Sequence, residues 1–167
     1  MEKTERIIIC DAGPIIHLDE LNCLDTLDFQ RILVPISVWK EILQYRNISS
    51  ESIEGLEIIE TAELPLEFLE ICKLYDLHKG EAAAIFLSLE LKNSILFTDD
   101  GAARLFAKSK NISVHGTIGI LLRAVRKNIR SAENITEILK SIKINSTLHI
   151  SDRLVMEAVL AVSRYKP

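Results

Sequence analysis

The sequence predicts a three-layer α/β/α protein: a central, largely parallel sheet of about five strands covered by helices on both faces, with two more helices at the C-terminal end. Three observations predict it. Short apolar, β-branched runs alternate with helical stretches between residues 7 and 126. Turn-forming residues stop most of those runs. Residues 131–167 carry helical periodicity and no strand signal.

The first strand is Ile7 to Cys10, a continuous buried-type run stopped by Asp11-Ala-Gly-Pro. Pro14 suits the first turn of a helix expected near Ile15 to Glu20. The second strand is expected at Ile32 to Val34, and Pro35 both ends it and opens a helix to Tyr45. Asn47 to Ser52 is polar and reads as a loop. Leu56 to Ile59 is the third strand, and Pro65 opens a helix to Tyr75. Glu81 to Leu91 is apolar nearly all round and predicts a deeply buried helix. Ile95 to Phe97 is the fourth strand, followed by Thr98-Asp99-Asp100-Gly101 and a helix to Lys108. Ile112 to Val114 is a short fifth strand, and Gly116-Thr117 starts a helix to Arg126. Ser131 and Ser151 cap the last two helices, whose apolar residues (Ile135, Ile138, Leu139, Ile142; Val155, Ala158, Val159, Val162) fall at i, i+3, i+4, i+7.

These elements make one domain over residues 1–167, with a core at about 7–126 and a helical extension at about 131–167. A hydrophobic fraction of 48 % excludes extensive disorder. No apolar run approaches the roughly 20 residues of a membrane span, and Ile7 to Cys10 is too short for a signal-peptide core, so a cytoplasmic protein is expected. Cys10, Cys23 and Cys72 lack metal-ligand spacing and read as buried small apolar residues. Charge is uneven. Residues 1–103 hold 20 acids against 8 bases, whereas 104–130 hold seven bases and no acid. An acidic part beside a basic stretch suits a polyanion held near a cation site, although a solvated basic face gives the same pattern.

Carboxylates in apolar company carry the functional signal. Glu41 shares a helix face with Val38 and Tyr45, and Glu81 shares one with Ala84, Ile85 and Ser88. A carboxylate on a core-facing stripe must be neutralised, paired or metal-bound. Asp11 directly follows the first strand, and Asp99 and Asp100 follow the fourth. In an open α/β sheet, ligands collect at the carboxyl ends of the strands, so both loops open into one crevice if strands one and four are neighbours. Two such charges about 4 Å apart repel by about 4 kcal/mol at an effective dielectric of 20. Protons or cations must offset that. An all-oxygen donor set favours Mg²⁺ or Mn²⁺, which can activate water and stabilise the leaving oxygen of a phosphodiester. Singly, each acid has another reading. Asp11 is also a turn former or cap, Glu41 a partner for a base such as Arg104, Glu81 a favourable first-turn acid, and Asp99 and Asp100 caps of the next helix.

At these residues the sequence resembles the PIN domain family. The matching segments are IIICDAGPII, VPISVWKEI, HKGEAAAIFLSLE and ILFTDDGAARLFA. ISVHGTIGILLRA, with the two final helices, resembles a branch often encoded beside small antitoxins. The resemblance implies a Mg²⁺- or Mn²⁺-dependent endoribonuclease cutting single-stranded RNA, possible pairing with a small antitoxin, and a homodimer. Carried over, Asp11, Glu41 and Glu81 match the first three acids. Asp100 matches the fourth in the pattern Thr, any residue, Asp, with Asp99 beside it and Thr98 as the accompanying hydroxyl. Asp11, Glu81, Asp99 and Asp100 are the implied metal-holding set, Asp11 and Asp100 most directly. Arg104 and the bases from Lys108 to Arg130 are expected to hold the RNA backbone. Gly13 departs from the family, many members of which have Ser or Asn there.

Two other readings stay open: a PIN-fold module that binds RNA or protein without cutting, and a phosphotransfer protein. A receiver domain usually has adjacent acids where Asp11 stands alone, and Gly13 removes the second Asp of the phosphatase Asp-x-Asp signature.

Overall fold

The protein is described by a computed structural model over residues 6–165. Five strands, β1 (Ile7–Cys10), β2 (Ile32–Pro35), β3 (Leu56–Ile59), β4 (Ser94–Phe97) and β5 (Ser113–His115), form one sheet in the order β3-β2-β1-β4-β5. Every pairing is parallel, with Ile8 beside Ile32 on one side of β1 and Cys10 beside Phe97 on the other. The chain runs outward from β1 to β3, then returns to place β4 on the opposite side of β1. That reversal makes the β1/β4 boundary the topological switch point, where a crevice opens at the strands' carboxyl ends.

Eight α-helices are present among the described residues: α1 (Ala12–Glu20), α2 (Ile36–Tyr45), α3 (Leu66–Leu74), α4 (Lys79–Glu90), α5 (Gly101–Ser109), α6 (Thr117–Arg126), α7 (Ala132–Asn145) and α8 (Asp152–Ser163). Alternation along the strands divides the core into two. Ile8, Cys10, Ile32 and Val34 face α1, α6, α7 and α8. Ile9, Leu33 and Leu96 face α3, α4 and α5. Helix α2 touches both α1 and α4, closing the side of the crevice nearest β2. The first prediction of a three-layer α/β/α fold with a parallel sheet is therefore met.

Several boundaries differ from the sequence reading by a few residues, and four of the differences have a plain local description. Helix α1 starts at Ala12, not near Ile15, because the extended Asp11 occupies the cap position and Pro14 is tolerated in the first turn. Helix α4 starts at Lys79, with His78 as its extended cap. Strand β5 begins one residue late because the Ile112 N–H donates to the Ala107 carbonyl in the turn leaving α5. The polar loop at 47–52 contains a 3₁₀ turn at Ser50–Ser52. Ser131 and Ser151 cap α7 and α8, their side chains accepting from the Asn134 and Leu154 N–H groups.

One punctuation signal escaped the sequence reading. Asn22, Asp76, Asn93, Asn111 and Asn128 all have positive φ, and each lies just past a helix. Asn and Asp tolerate the left-handed conformation that ends a helix better than other non-glycine residues.

Phe106 anchors the α3/α4/α5 layer, its ring 4.7 Å from that of Tyr75 and 6.0 Å from that of Phe68. Phe106→Ala should cost about 3–5 kcal/mol in urea unfolding, whereas Leu105→Ala, on an exposed neighbour, should stay within about 0.5 kcal/mol.

Candidate active site

The site begins with strand pairing. The Asp11 N–H donates to the Phe97 carbonyl at 2.9 Å, extending the β1/β4 ladder by one step and bringing the two acidic loops together. Thr98, fully buried, ties them further. Its hydroxyl donates to Asp11 Oδ2 at 2.9 Å and accepts from the Asp100 N–H at 3.3 Å.

Asp11 is 5 % exposed, and its side chain makes no capping bond to α1. Burial pushes its pKa from 3.8 up to about 7. The Ala12 amide and Thr98 hydroxyl pull it down, and the charges of Glu81 and Glu41 push it up again. Glu81 sits in the first turn of α4, where its Oε2 accepts from the His78 N–H at 2.8 Å. Its pKa is also raised, first by burial, and the negative charges of Asp100 and Glu41 add to that. The reading of Glu81 as a first-turn acid thus holds for the oxygen bound to the His78 N–H.

Glu41 projects from α2 toward α4. A Cβ built on Gly80 would lie 3.0 Å from Glu41 Oε2 and 3.3 Å from the Val38 side chain, so the glycine lets the start of α4 approach this carboxylate without pushing it aside. No ion pair involves Glu41 among the described residues, and Arg104 is turned elsewhere, donating to the Thr98 carbonyl at 3.2 Å. Asp100 is exposed and caps α5, Oδ1 accepting from the Ala103 N–H at 2.7 Å. Asp11, Glu41, Glu81 and Asp100 therefore share one electrostatic neighbourhood.

Asp99, its sequence neighbour, is placed differently. Oδ1 accepts from the Thr117 N–H at 2.7 Å, and Oδ2 accepts from the Thr117 hydroxyl at 2.5 Å and His17 Nδ1–H at 2.8 Å. Both oxygens are engaged, so Asp99 caps α6 and braces α1 against it. Gly116 is required for this, because a Cβ there would collide with Asp99 Oδ1 and crowd Arg104 Nη1. His17 and Thr117 were not singled out from sequence as members of this network. The only available signal was Gly116-Thr117 opening a helix, which locates a cap without saying which carboxylate fills it.

The donors are all carboxylate oxygens, the chemistry of Mg²⁺ or Mn²⁺. Burial is the first cause of the raised pKa values of Asp11 and Glu81 and the neighbouring carboxylates add to it, so a cation brought there would favour their charged forms. Among the described residues, no three His, Cys, Asp or Glu side chains converge tightly enough to ligate an ion as they stand. The donor set suits such an ion on chemistry, and tight coordination requires side-chain movement. Cys10, Cys23 and Cys72 are buried and unpaired, and burial raises all three thiols, leaving them outside the chemistry.

The Asp11 shift fixes a pH dependence for the metal-free protein. A carboxyl with a raised folded pKa binds more protons folded than unfolded, so its stabilising contribution is full below 3.8 and is lost as pH rises through about 7. Wild type should therefore lose stability relative to Asp11→Asn between pH 4 and 7 in EDTA, as read by thermal denaturation at stepped pH. Parallel curves would contradict the burial argument.

Comparison with known proteins adds the family. No curated protein matches the chain. The DUF3368 family model, described as a PIN domain, matches residues 7–164, from the start of β1 to the C-terminal end of α8. Membership points to nuclease chemistry in general, and PIN domains generally use divalent metal ions. With its 3-2-1-4-5 parallel sheet and its acids gathered at the switch point, the chain belongs to the PIN domain family.

Proposed function

We propose that this protein is a Mg²⁺- or Mn²⁺-dependent endoribonuclease acting on single-stranded RNA. One observation carries the reading: Asp11 lies buried at the β1/β4 switch point, its pKa raised first by that burial and further by the charges of Glu81 and Glu41. Asp11, Glu81 and Asp100 would hold the ion, with Glu41 completing the acidic shell. When bound, such an ion supplies charge neutralisation and Lewis-acid polarisation of a phosphodiester.

The chain's own groups do the rest. Thr98 fixes the rotamer of Asp11 and ties it to the Asp100 backbone. Asp99 acts as a brace, holding α6 and its basic C-terminal turn in register with the crevice. Asp11, its pKa raised to about 7, can hold or release a proton near neutral pH, and burial shifts Glu81 in the same direction. Arg104, beside Thr98, supplies positive charge for a backbone phosphate.

The family reading adds a small antitoxin and a homodimer as proposed partners. Growth arrest on expression, relieved by a neighbouring antitoxin gene, tests the first, and solution mass tests the second. Purified protein should cleave single-stranded RNA in Mn²⁺ and lose at least about a hundredfold in rate in EDTA and in Asp11→Asn. Cleavage persisting in Asp11→Asn would remove Asp11 from the mechanism. RNA binding without cleavage in wild type would favour the non-cutting module.

A further inference from the structure

Beside the acidic crevice, on the side to which Asp99 turns, lies a cavity of about 320 Å³. Its walls come from four places: Arg104 on α5, His115 and Gly116 at the end of β5, Ile118, Gly119 and Leu122 on α6, and the connection between α7 and α8 with the first turn of α8. The C-terminal helices, which the acidic crevice does not need, thus reach the site through Leu148, His149, Ile150 and Leu154. Building on the ribonuclease reading above, we propose that this cavity seats one nucleotide adjacent to the scissile phosphodiester, and that residues 148–154 help choose where the strand is cut.

Three properties of the lining favour an RNA nucleotide. Leu148, Ile150 and Leu154 form an apolar shelf, and Leu154 is 44 % exposed despite lying in the first turn of a helix. A shelf of this kind gives an unstacked base a face to lie on. His115 and His149 carry imidazoles with no protein hydrogen-bond partner among the described residues, and both line the cavity. Imidazole and guanidinium groups bind single-stranded bases by stacking and by hydrogen bonds to their edges. Arg104 spends one N–H on the Thr98 carbonyl, leaving its other donors for phosphate.

Charge and size narrow the occupant. The one acid in the lining is Asp99, whose oxygens are engaged by His17 and Thr117, and Arg104 in the same lining offsets its charge. A volume of about 320 Å³ lies at the small end of ligand pockets and suits one base rather than a duplex. Placement does the rest. A strand whose phosphate lies at Asp11 and Asp100 would put its next base here by passing Asp99, which adjoins Asp100 in the chain and lines the cavity.

Two measurements on the full chain test this. In the first, Asp11→Asn protein binds single-stranded RNA containing 4-thiouridine, is irradiated, and the attached peptides are mapped. Attachment within residues 148–154, or at His115, is expected, and attachment confined to other surfaces would overturn the proposal. In the second, wild type, His149→Ala and Leu154→Ala cleave a randomised single-stranded RNA pool. Each variant should fold with an unchanged melting temperature, flatten the base preference at one position beside the cut, and raise KM about tenfold, more than it lowers kcat. An unchanged cleavage profile and KM would also overturn it. Wild type that crosslinks at 148–154 without cleaving would uphold the nucleotide seat and sink the ribonuclease reading. RNA that does not bind would sink both.

Discussion

Everything at the carboxyl edge of this sheet depends on holding like charges together. Asp11 is buried, and Glu41 and Glu81 add negative potential to a carboxyl that has already lost most of its water. Left alone, such a group recovers by taking up a proton, which is what its raised pKa describes. The fold nonetheless imposes the crowding. Parallel pairing of β1 with β4 fixes where Asp11 and Asp100 emerge, and the Gly80 contact lets α4 approach the Glu41 carboxylate. Structural convenience does not require this arrangement, since a neutral side chain at position 11 would pack without the penalty. On the proposed reading, a divalent cation shared by these acids would give the arrangement a reason.

The two adjacent aspartates show how neighbouring residues divide the work. Asp100 stays exposed and negative toward Glu81 while capping α5. Asp99 faces the other way and is consumed by Thr117 and His17. Through these contacts the basic helix α6 is locked to α1 on one face of the sheet, and the α7/α8 connection is brought beside the crevice. Asp99 is thereby one place where the acidic first part meets the basic stretch at 104–130, and the Arg130–Asp25 pair is another.

Much of this was legible in the sequence, for physical reasons that differ by element. Strands were plain because buried parallel strands are short, continuous and β-branched, as in Ile7–Cys10 and Ile95–Phe97. Helix starts were marked by Pro35, Pro65, Ser131 and Ser151, whereas the asparagine exits were overlooked. The neighbourhood of Asp11, Glu41, Glu81 and Asp100 could be anticipated, since each acid sat either at a strand end or on a buried helical face. Asp99 could not be separated from Asp100 in the same way. Its partners lie 18 residues downstream at Thr117 and 82 residues upstream at His17, and local sequence holds no trace of that geometry. Likewise nothing near Leu148 to Leu154 signals proximity to the acids, because that depends on how the last two helices pack on α6.

Direct titration of the acidic crevice with metal is the most incisive measurement. Thermal denaturation of chelator-treated wild type and Glu81→Gln protein should be followed at pH 8 over increasing Mn²⁺. If the four acids form a cation site, the wild-type melting temperature rises continuously with the logarithm of Mn²⁺ concentration above the dissociation constant, and Glu81→Gln loses most of that rise. A wild-type melting temperature indifferent to Mn²⁺, or the same rise in both proteins, would contradict the claim that these carboxylates are gathered to hold a metal ion.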